Sequence, residues 1–288
     1  MADYTLPAMN AGTVKLGSFI VNRMGFGAMR LTGQGIWGPP HDIVGAQRVL
    51  NRAVELGVNF IDTADAYGPN VSEQLIHDTL APYEGLIIAT KGGQLRDGPG
   101  DWRPDGRPEH LREACEASLK RLGVERITLY QLHRPDPSVP FTESIRALVE
   151  LKQERKIRFI GLSNVSLAQL QEALSMTPIV SVQNYYNFEH RAASEAIVGF
   201  CEQLGIAFIP YFPIGGGRRD YNQGIIQNIA HKHNATGHQI ALAWLLTHSP
   251  VMLPIPGTSS TKHLEENIAA ADIKLNGEDM AALDSLSD

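Results

Sequence analysis

Residues 57–68 read Gly57-Val58-Asn59-Phe60-Ile61-Asp62-Thr63-Ala64-Asp65-Ala66-Tyr67-Gly68. A short apolar run that ends on Asp62 and gives way to small and polar residues reads as a buried strand opening into a loop. Upstream, residues 41–56 carry Ile43, Val44, Val49, Leu50, Ala53 and Val54 at helical spacing, and Gly57 supplies the C-terminal stop. Helix, glycine, short apolar strand and polar loop therefore form one unit.

The unit recurs along the chain. A helix over 72–80, with Ser72 as its N-cap, precedes a strand over 86–91, and a helix over 108–122, stopped by Gly123, precedes a strand over 127–133. Helices over 141–154, 167–174 and 192–204 precede strands over 157–163, 180–184 and 207–212. The end of the chain holds helices over 225–233 and 239–247, a strand over 251–255, and helical patterns over 261–271 and 279–286. With a strand at Met24, roughly eight strands alternate with helices, which predicts an α/β fold: a closed parallel (β/α)8 TIM barrel, a single domain over 1–288. An open doubly wound sheet would place Gly-x-Gly-x-x-Gly after an early strand. Gly25-Phe26-Gly27-Ala28-Met29-Arg30 lacks the third glycine and a following helix. Ahead of the repeat, residues 14–21 read as an N-terminal β-hairpin, a lid or plug, and residues 28–40 as a long loop carrying Trp37.

Composition narrows the function. No apolar run approaches the roughly 20 residues that span a bilayer, and residues 1–10 lack the basic and apolar regions of a secretory signal, so a cytoplasmic protein is expected. The net charge is -6, with lysines and arginines scattered, which argues against a nucleic-acid face. Cys115 and Cys201 make neither a disulfide framework nor a spaced metal site and read as buried thiols. No metal is expected, and His231 and His233 read as solvated surface. A monomer or weak oligomer is expected.

In such barrels, active sites form from the loops at the carboxyl ends of the strands. Asp62, Lys91, His133, Ser163-Asn164, Gln183-Asn184, Tyr211 and Pro256-Gly257 stand at those ends. The turn Gly68-Pro69-Asn70 leaves the Tyr67 phenol beside the same rim. A phenol donates a proton usefully when its pKa is brought below about 10. Lys91 is expected to pull the Tyr67 pKa down, Asp62 to keep the ammonium charged, and His133 to orient a substrate carbonyl. None of these side chains donates hydride, so a cofactor must. Gly215-Gly216-Gly217-Arg218-Arg219, with bare backbone amides and two arginines, suits a pyrophosphate.

Asp62, Tyr67, Lys91 and His133 at these places resemble the catalytic tetrad of the aldo-keto reductases. Residues 62–68 look like that family's strand-two signature and Ile160-Gly161-Leu162-Ser163-Asn164 like its strand-five signature. Ile255-Pro256-Gly257-Thr258 through Leu264-Glu265-Glu266-Asn267 look like its cofactor-end motif, so the resemblance covers nearly the whole chain. It implies reduction of aldehydes and ketones to alcohols by NADP(H), with Tyr67 as general acid.

The resemblance also implies that Ser163, Asn164 and Gln183 hold the nicotinamide carboxamide and that Tyr211, beside Phe212, stacks on the ring. Gly217 and Arg218 then meet the pyrophosphate. Gly257, Thr258, Ser259, Lys262, His263 and Glu266 surround the adenosine end, and Asn267 meets the adenine. The family often has a lysine after the motif proline and an arginine a few residues later. Gly257 and His263 stand at those places, which leaves NAD(H) open beside NADP(H).

Trp37, Trp102 and Phe212 are read as walls of an apolar substrate pocket, suiting aromatic or aliphatic carbonyls over sugars. The absence of a long tail after residue 286 implies an open, permissive pocket. Relatives with the Gly-Thr-Ser-Ser version of the motif look like pyridoxal reductases. Two other classes stand beside the reductase: a cofactor-binding regulatory subunit of the same fold with little turnover, and a metal-dependent barrel hydrolase.

Overall fold

The computed structural model describes residues 5–217, 221 and 224–286. It opens on an antiparallel hairpin, β1 (Thr13–Leu16) and β2 (Phe19–Asn22), with Val14 opposite Val21. Then come β3 (Phe26–Gly27), α1 (Ile43–Glu55), β4 (Phe60–Asp62), α2 (Val71–Leu80), β5 (Ile87–Gly92) and a small hairpin of β6 (Gln94–Leu95) with β7 (Arg103–Pro104). The alternation continues with α3 (Pro108–Leu122), β8 (Ile127–Leu132), α4 (Phe141–Gln153), β9 (Ile157–Ser163), α5 (Leu167–Met176), β10 (Ile179–Gln183), α6 (Glu195–Leu204) and β11 (Ala207–Phe208). Helices α7 (Gly224–Lys232), α8 (Gly237–His248), α9 (Thr261–Ala269) and α10 (Gly277–Asp284) complete it.

The parallel strands lie in the order β3, β4, β5, β8, β9, β10, β11. Residues 251–254 fill the remaining place. Leu253 N–H donates to the Phe208 carbonyl at 2.8 Å and Phe208 N–H to that of Val251 at 2.9 Å, while Gly25 N–H donates to the Pro254 carbonyl at 3.0 Å. The sheet therefore closes into the expected eight-fold barrel. Closure leaves no free strand edge, and helices cover the outside, so a strand such as β5 is buried at every residue.

Local sequence accounts for the elements. In α1, Ala46, Val49, Leu50 and Ala53 form the buried stripe. The Asp42 carboxylate caps the helix by accepting from Gly45 N–H at 2.8 Å. Such a cap contributes about 1 kcal/mol, whereas fully burying one leucine contributes about 2 kcal/mol, so packing sets this helix in place. Helix α8 is apolar on all sides and buries Ile240 through Leu245 in sequence, as a helix inside the helical layer must.

The N-terminal hairpin is a plug. Leu16 and Val21 lose all exposure and join Phe60, Ala89, Leu129 and Leu253 in the barrel interior. Gly17, at φ +62°, turns the hairpin where a Cβ would overlap the Phe159 ring.

Several boundaries differ from the sequence reading. β11 ends at Phe208, and Tyr211 keeps only an isolated parallel bridge to Tyr185. Helix α9 ends at Ala269 in a 3-10 turn over Ala270–Asp272. His231 is exposed as expected, but His233 is part-buried and not free on the surface. His233 Nε2 lies 2.9 Å from an Asp279 oxygen and Lys232 Nζ donates to the other at 2.7 Å, docking α7 on α10. Both cysteines are buried and unpaired, and burial pushes their thiols up to about 12. Among the described residues no group of three His, Cys, Asp or Glu can hold a metal, and no helix is long and apolar enough to cross a membrane.

Candidate active site

Strand alternation delivers the polar residues to one rim. Along β5, Ile87, Ala89 and Lys91 face the same way, and Ile87 and Ala89 belong to the barrel interior. Lys91 is thus the residue where that inward row reaches the mouth. The same period places Asp62 beyond Phe60 on β4, Gln131 beyond Leu129 on β8, and His133 just past the end of β8.

The arrangement is close and dry. Lys91 Nζ donates to Asp62 Oδ2 at 2.6 Å, to the Thr63 carbonyl at 3.0 Å and to the Tyr67 phenol oxygen at 3.3 Å. Lys91 and Asp62 side chains are 0% and 2% exposed. The other Asp62 oxygen accepts from Gln183 Nε2 at 2.8 Å and Gln131 Nε2 at 3.1 Å. The His133 ring lies edge-on to Tyr67 at 5.8 Å between centroids, and Trp102 stands against both, 6.4 Å from Tyr67 and 6.2 Å from His133.

Charge follows from this geometry. Burial works against the Lys91 ammonium, but the Asp62 carboxylate and the phenol outweigh it, and its pKa is raised. The expectation that Lys91 brings the Tyr67 pKa below its usual value is overturned. Lys91 does pull it down, but burial of the phenol is the larger influence and Asp62 adds to it, so the net shift is upward. The phenol is held protonated beside a cation. Burial, then Lys91, Arg134 and Arg96, push His133 well below its usual range. A neutral imidazole carries one N–H. Among the described residues Nδ1 is buried without a partner, so that proton is better placed on Nε2.

A second group lines the same rim. Asn164, at φ +60°, donates through Nδ2 to the His133 carbonyl and to Ser163 Oγ, both at 3.0 Å, and its Oδ1 accepts from the Tyr211 hydroxyl at 2.8 Å. Tyr211 stacks on Tyr185 at 5.6 Å, and Phe212 meets both rings edge-on. Trp37 and Trp102 instead flank Arg96, whose guanidinium carbon lies 5.7 Å and 3.7 Å from their ring centres. The apolar residues therefore form two groups, one around Trp102 and one around Phe212.

Gly217 lies in a tight turn over Gly215–Gly217, tied to the barrel mouth by Arg30 Nη2 donating to the Gly216 carbonyl at 2.7 Å. Arg218 lies outside the described residues. At the far end, Gly257 passes so close to the Gly27 carbonyl that a Cβ would clash. Ser260 Oγ caps α9 on His263 N–H, Thr258 Oγ1 accepts from Ser260 N–H at 3.1 Å, and Ser259 is exposed. Lys262 is 81% exposed with Glu266 at 3.8 Å, and Asn267 is buried beneath the helix. Amide carriers at one end and a helix N-terminus with hydroxyls and a lysine at the other fit an extended dinucleotide.

The family model for the aldo/keto reductase family matches residues 23–288. This chain belongs to the aldo/keto reductase family. The aldo-keto reductase assignment is borne out by its relatives. The chain is 50% identical to an uncharacterized oxidoreductase of Schizosaccharomyces pombe, over 98% of this chain and 92% of that protein. It is 42% identical to pyridoxine 4-dehydrogenase of Escherichia coli, over 97% and 99%. Among solved structures, a thermostable aldo-keto reductase bound to the inhibitor epalrestat superposes with a TM-score of 0.84 at 32% identity, over 95% of this chain and 99% of that one. An aldo-keto reductase of Klebsiella pneumoniae in complex with NADPH gives 0.80 at 27%, over 95% and 94%. As an aldo-keto reductase the chain is an oxidoreductase, and these relatives lend no support to the regulatory reading.

Two residues of this aldo-keto reductase escaped the sequence reading. Gln131 is fully buried and shares Asp62 with Gln183. Its signal is a polar residue at an inward position of a buried strand. Arg96 carries no local signal, because its partners lie in three separate loops.

Proposed function

We propose that this aldo-keto reductase reduces aldehydes and ketones to alcohols with NADP(H), Tyr67 giving the proton. The observation that carries the reading is the buried contact of Lys91 Nζ with the Tyr67 phenol at 3.3 Å and with Asp62 at 2.6 Å, beside His133. A bound nicotinamide dinucleotide supplies the hydride for the carbonyl carbon. Tyr67 gives its hydroxyl proton to the carbonyl oxygen, Lys91 stabilises the phenolate left behind, and water returns the proton. Asp62, held by Gln131 and Gln183, keeps Lys91 charged. His133 Nε2–H donates to the same carbonyl oxygen and orients it.

In this reading Ser163, Asn164 and Gln183 receive the carboxamide, Gln183 through its Oε1 because its Nε2 is committed to Asp62. Tyr211 offers the ring face opposite Tyr185, with Phe212 beside it. Gly217 and Arg218 meet the pyrophosphate in this reading. Gly257, Thr258, Ser259, Lys262, His263, Glu266 and Asn267 receive the adenosine end, with Lys262 and the α9 N-terminus reading a 2′-phosphate. Trp37 and Trp102 wall the carbonyl pocket. The likeness to pyridoxine 4-dehydrogenase makes pyridoxal a test substrate. A cytoplasmic location and a monomeric or weakly oligomeric state are part of this proposal.

The test is turnover of aromatic and aliphatic aldehydes, pyridoxal included, with NADPH and NADH titrated side by side. NADPH oxidation with at least one aldehyde is expected, together with an NADPH preference that Lys262→Ala weakens. Tight cofactor binding with no turnover of any carbonyl would support the regulatory class instead. Equal affinity for the two cofactors would remove the 2′-phosphate reading.

A further inference from the structure

We infer that Arg96 is a positioning residue that assembles the carbonyl pocket, setting Trp37, Tyr67 and Trp102 through the backbone just ahead of each. The inference rests on the reading of the site given above. Arg96 follows the short strand β6 and is 9% exposed. Nε donates to the Asp101 carbonyl at 2.8 Å, and Nη1 to those of Ile36 at 3.0 Å and Ala66 at 3.1 Å. Nη2 donates to the carbonyls of Gly35 at 3.0 Å and Gly98 at 3.4 Å.

The identities of these acceptors matter more than their number. Ile36 precedes Trp37, Ala66 precedes the proposed acid Tyr67, and Asp101 precedes Trp102. One guanidinium thus fixes the chain one residue upstream of each of three pocket aromatics, on three different loops. Its flat face also lies over the Trp102 ring, 3.7 Å from the centroid, and that ring stands edge-on to Tyr67 and His133.

A buried arginine more often pairs with a carboxylate. Among the described residues Arg96 makes no ion pair, and backbone carbonyls take its donors instead. That arrangement needs the planar fork and its five N–H groups. Lysine has one nitrogen and no face, so it can neither reach three loops nor stack on the indole. Arg96 touches no reacting atom in this reading; it acts through Trp102 and through the backbone at Tyr67. Losing it loosens the walls, which costs a substrate that fills the pocket more than one that does not.

The test compares Arg96→Met and Arg96→Lys with the parent enzyme. The measurements are KM and kcat for a bulky aromatic and a small aliphatic aldehyde, NADPH Kd, and acrylamide quenching of tryptophan fluorescence, with Trp102→Phe identifying the Trp102 contribution. Both variants are expected to raise KM for the aromatic aldehyde at least tenfold and KM for the aliphatic one less than threefold. NADPH Kd is expected to stay within twofold, and Trp102 to become more accessible to quencher.

Rescue by Arg96→Lys would show that charge alone matters and overturn the inference. Equal losses for both aldehydes and for NADPH would overturn it too, as would failure of both variants to fold, since either result assigns Arg96 to general stability. If the parent enzyme turns over no carbonyl, the proposed function fails, and the quenching still decides this point: unchanged Trp102 accessibility in Arg96→Met overturns the role of Arg96.

Discussion

Replacing Lys91 by methionine keeps the length of the side chain and removes its charge, leaving Asp62 buried at 2% side-chain exposure with two amides as its partners among the described residues. Removing one member of a buried pair costs about 3–5 kcal/mol, because the charge left behind is uncompensated. The effect on turnover comes from the other contact. A phenolate forming 3.3 Å from the ammonium is stabilised by about 5 kcal/mol at an effective dielectric constant near 20. Asp62 on the far side cancels part of that, so a fall in reduction rate of about 100- to 1,000-fold is expected, at about 1.4 kcal/mol per factor of ten.

The double variant Asp62→Asn/Lys91→Met separates the two effects. It removes both charges, so urea unfolding should recover more than about 2 kcal/mol relative to Lys91→Met alone, a coupling typical of contacting groups. Stopped-flow NADPH oxidation should stay as slow as in the single variant. Recovery of turnover along with stability would refute the reasoning, as would a single variant destabilised by less than about 1 kcal/mol.

Two further predictions concern titration. Burial, with Glu73 nearby, pushes the Asp65 carboxyl up to about 8, and its Oδ1 has no hydrogen-bond partner among the described residues. The native state therefore holds a proton that the unfolded chain releases near pH 4, so stability falls as pH rises from about 4 to about 8. The full window sets a ceiling of about 6 kcal/mol at about 1.4 kcal/mol per pH unit. Asp65→Asn should gain about 2–4 kcal/mol over the parent at pH 8 and little at pH 4.5 in urea titrations; an equal difference at both pH values contradicts this. The second is kinetic. Tyr67 is raised above its usual value and so stays protonated, and His133 lies well below 6.5. Reduction should be flat from pH 6 to 9, while alcohol oxidation, which uses the phenolate, should climb with pH. A break in reduction near pH 6.5 that His133→Asn abolishes would show that the histidine titrates in turnover.

The barrel was legible because its repeat is written locally. Ile43 to Leu56 keeps helical spacing, Gly57 stops it, and Phe60-Ile61 enters the wall before Asp62. The meeting of the four proposed site residues was legible for a related reason, since Asp62, Lys91 and His133 stand where inward rows reach the rim and Tyr67 follows in the turn after β4. Net charge balance was not legible. Spacing shows that Lys91 meets Tyr67 but not that burial of the phenol outweighs that cation, because burial is a property of the closed barrel. His233 looked solvated because its partner, Asp279, is 46 residues away. Arg96 was invisible for the same reason. Its acceptors lie up to 61 residues away and are backbone carbonyls, which every residue offers and no composition betrays.

The central claim is that the Tyr67 hydroxyl supplies the proton to the carbonyl oxygen. Tyr67→Phe removes that single oxygen and leaves the ring against Trp102 and His133. Single-turnover NADPH oxidation with a saturating aldehyde should slow by at least about 1,000-fold, with NADPH Kd unchanged within twofold. Turnover within about tenfold of the parent would contradict the account.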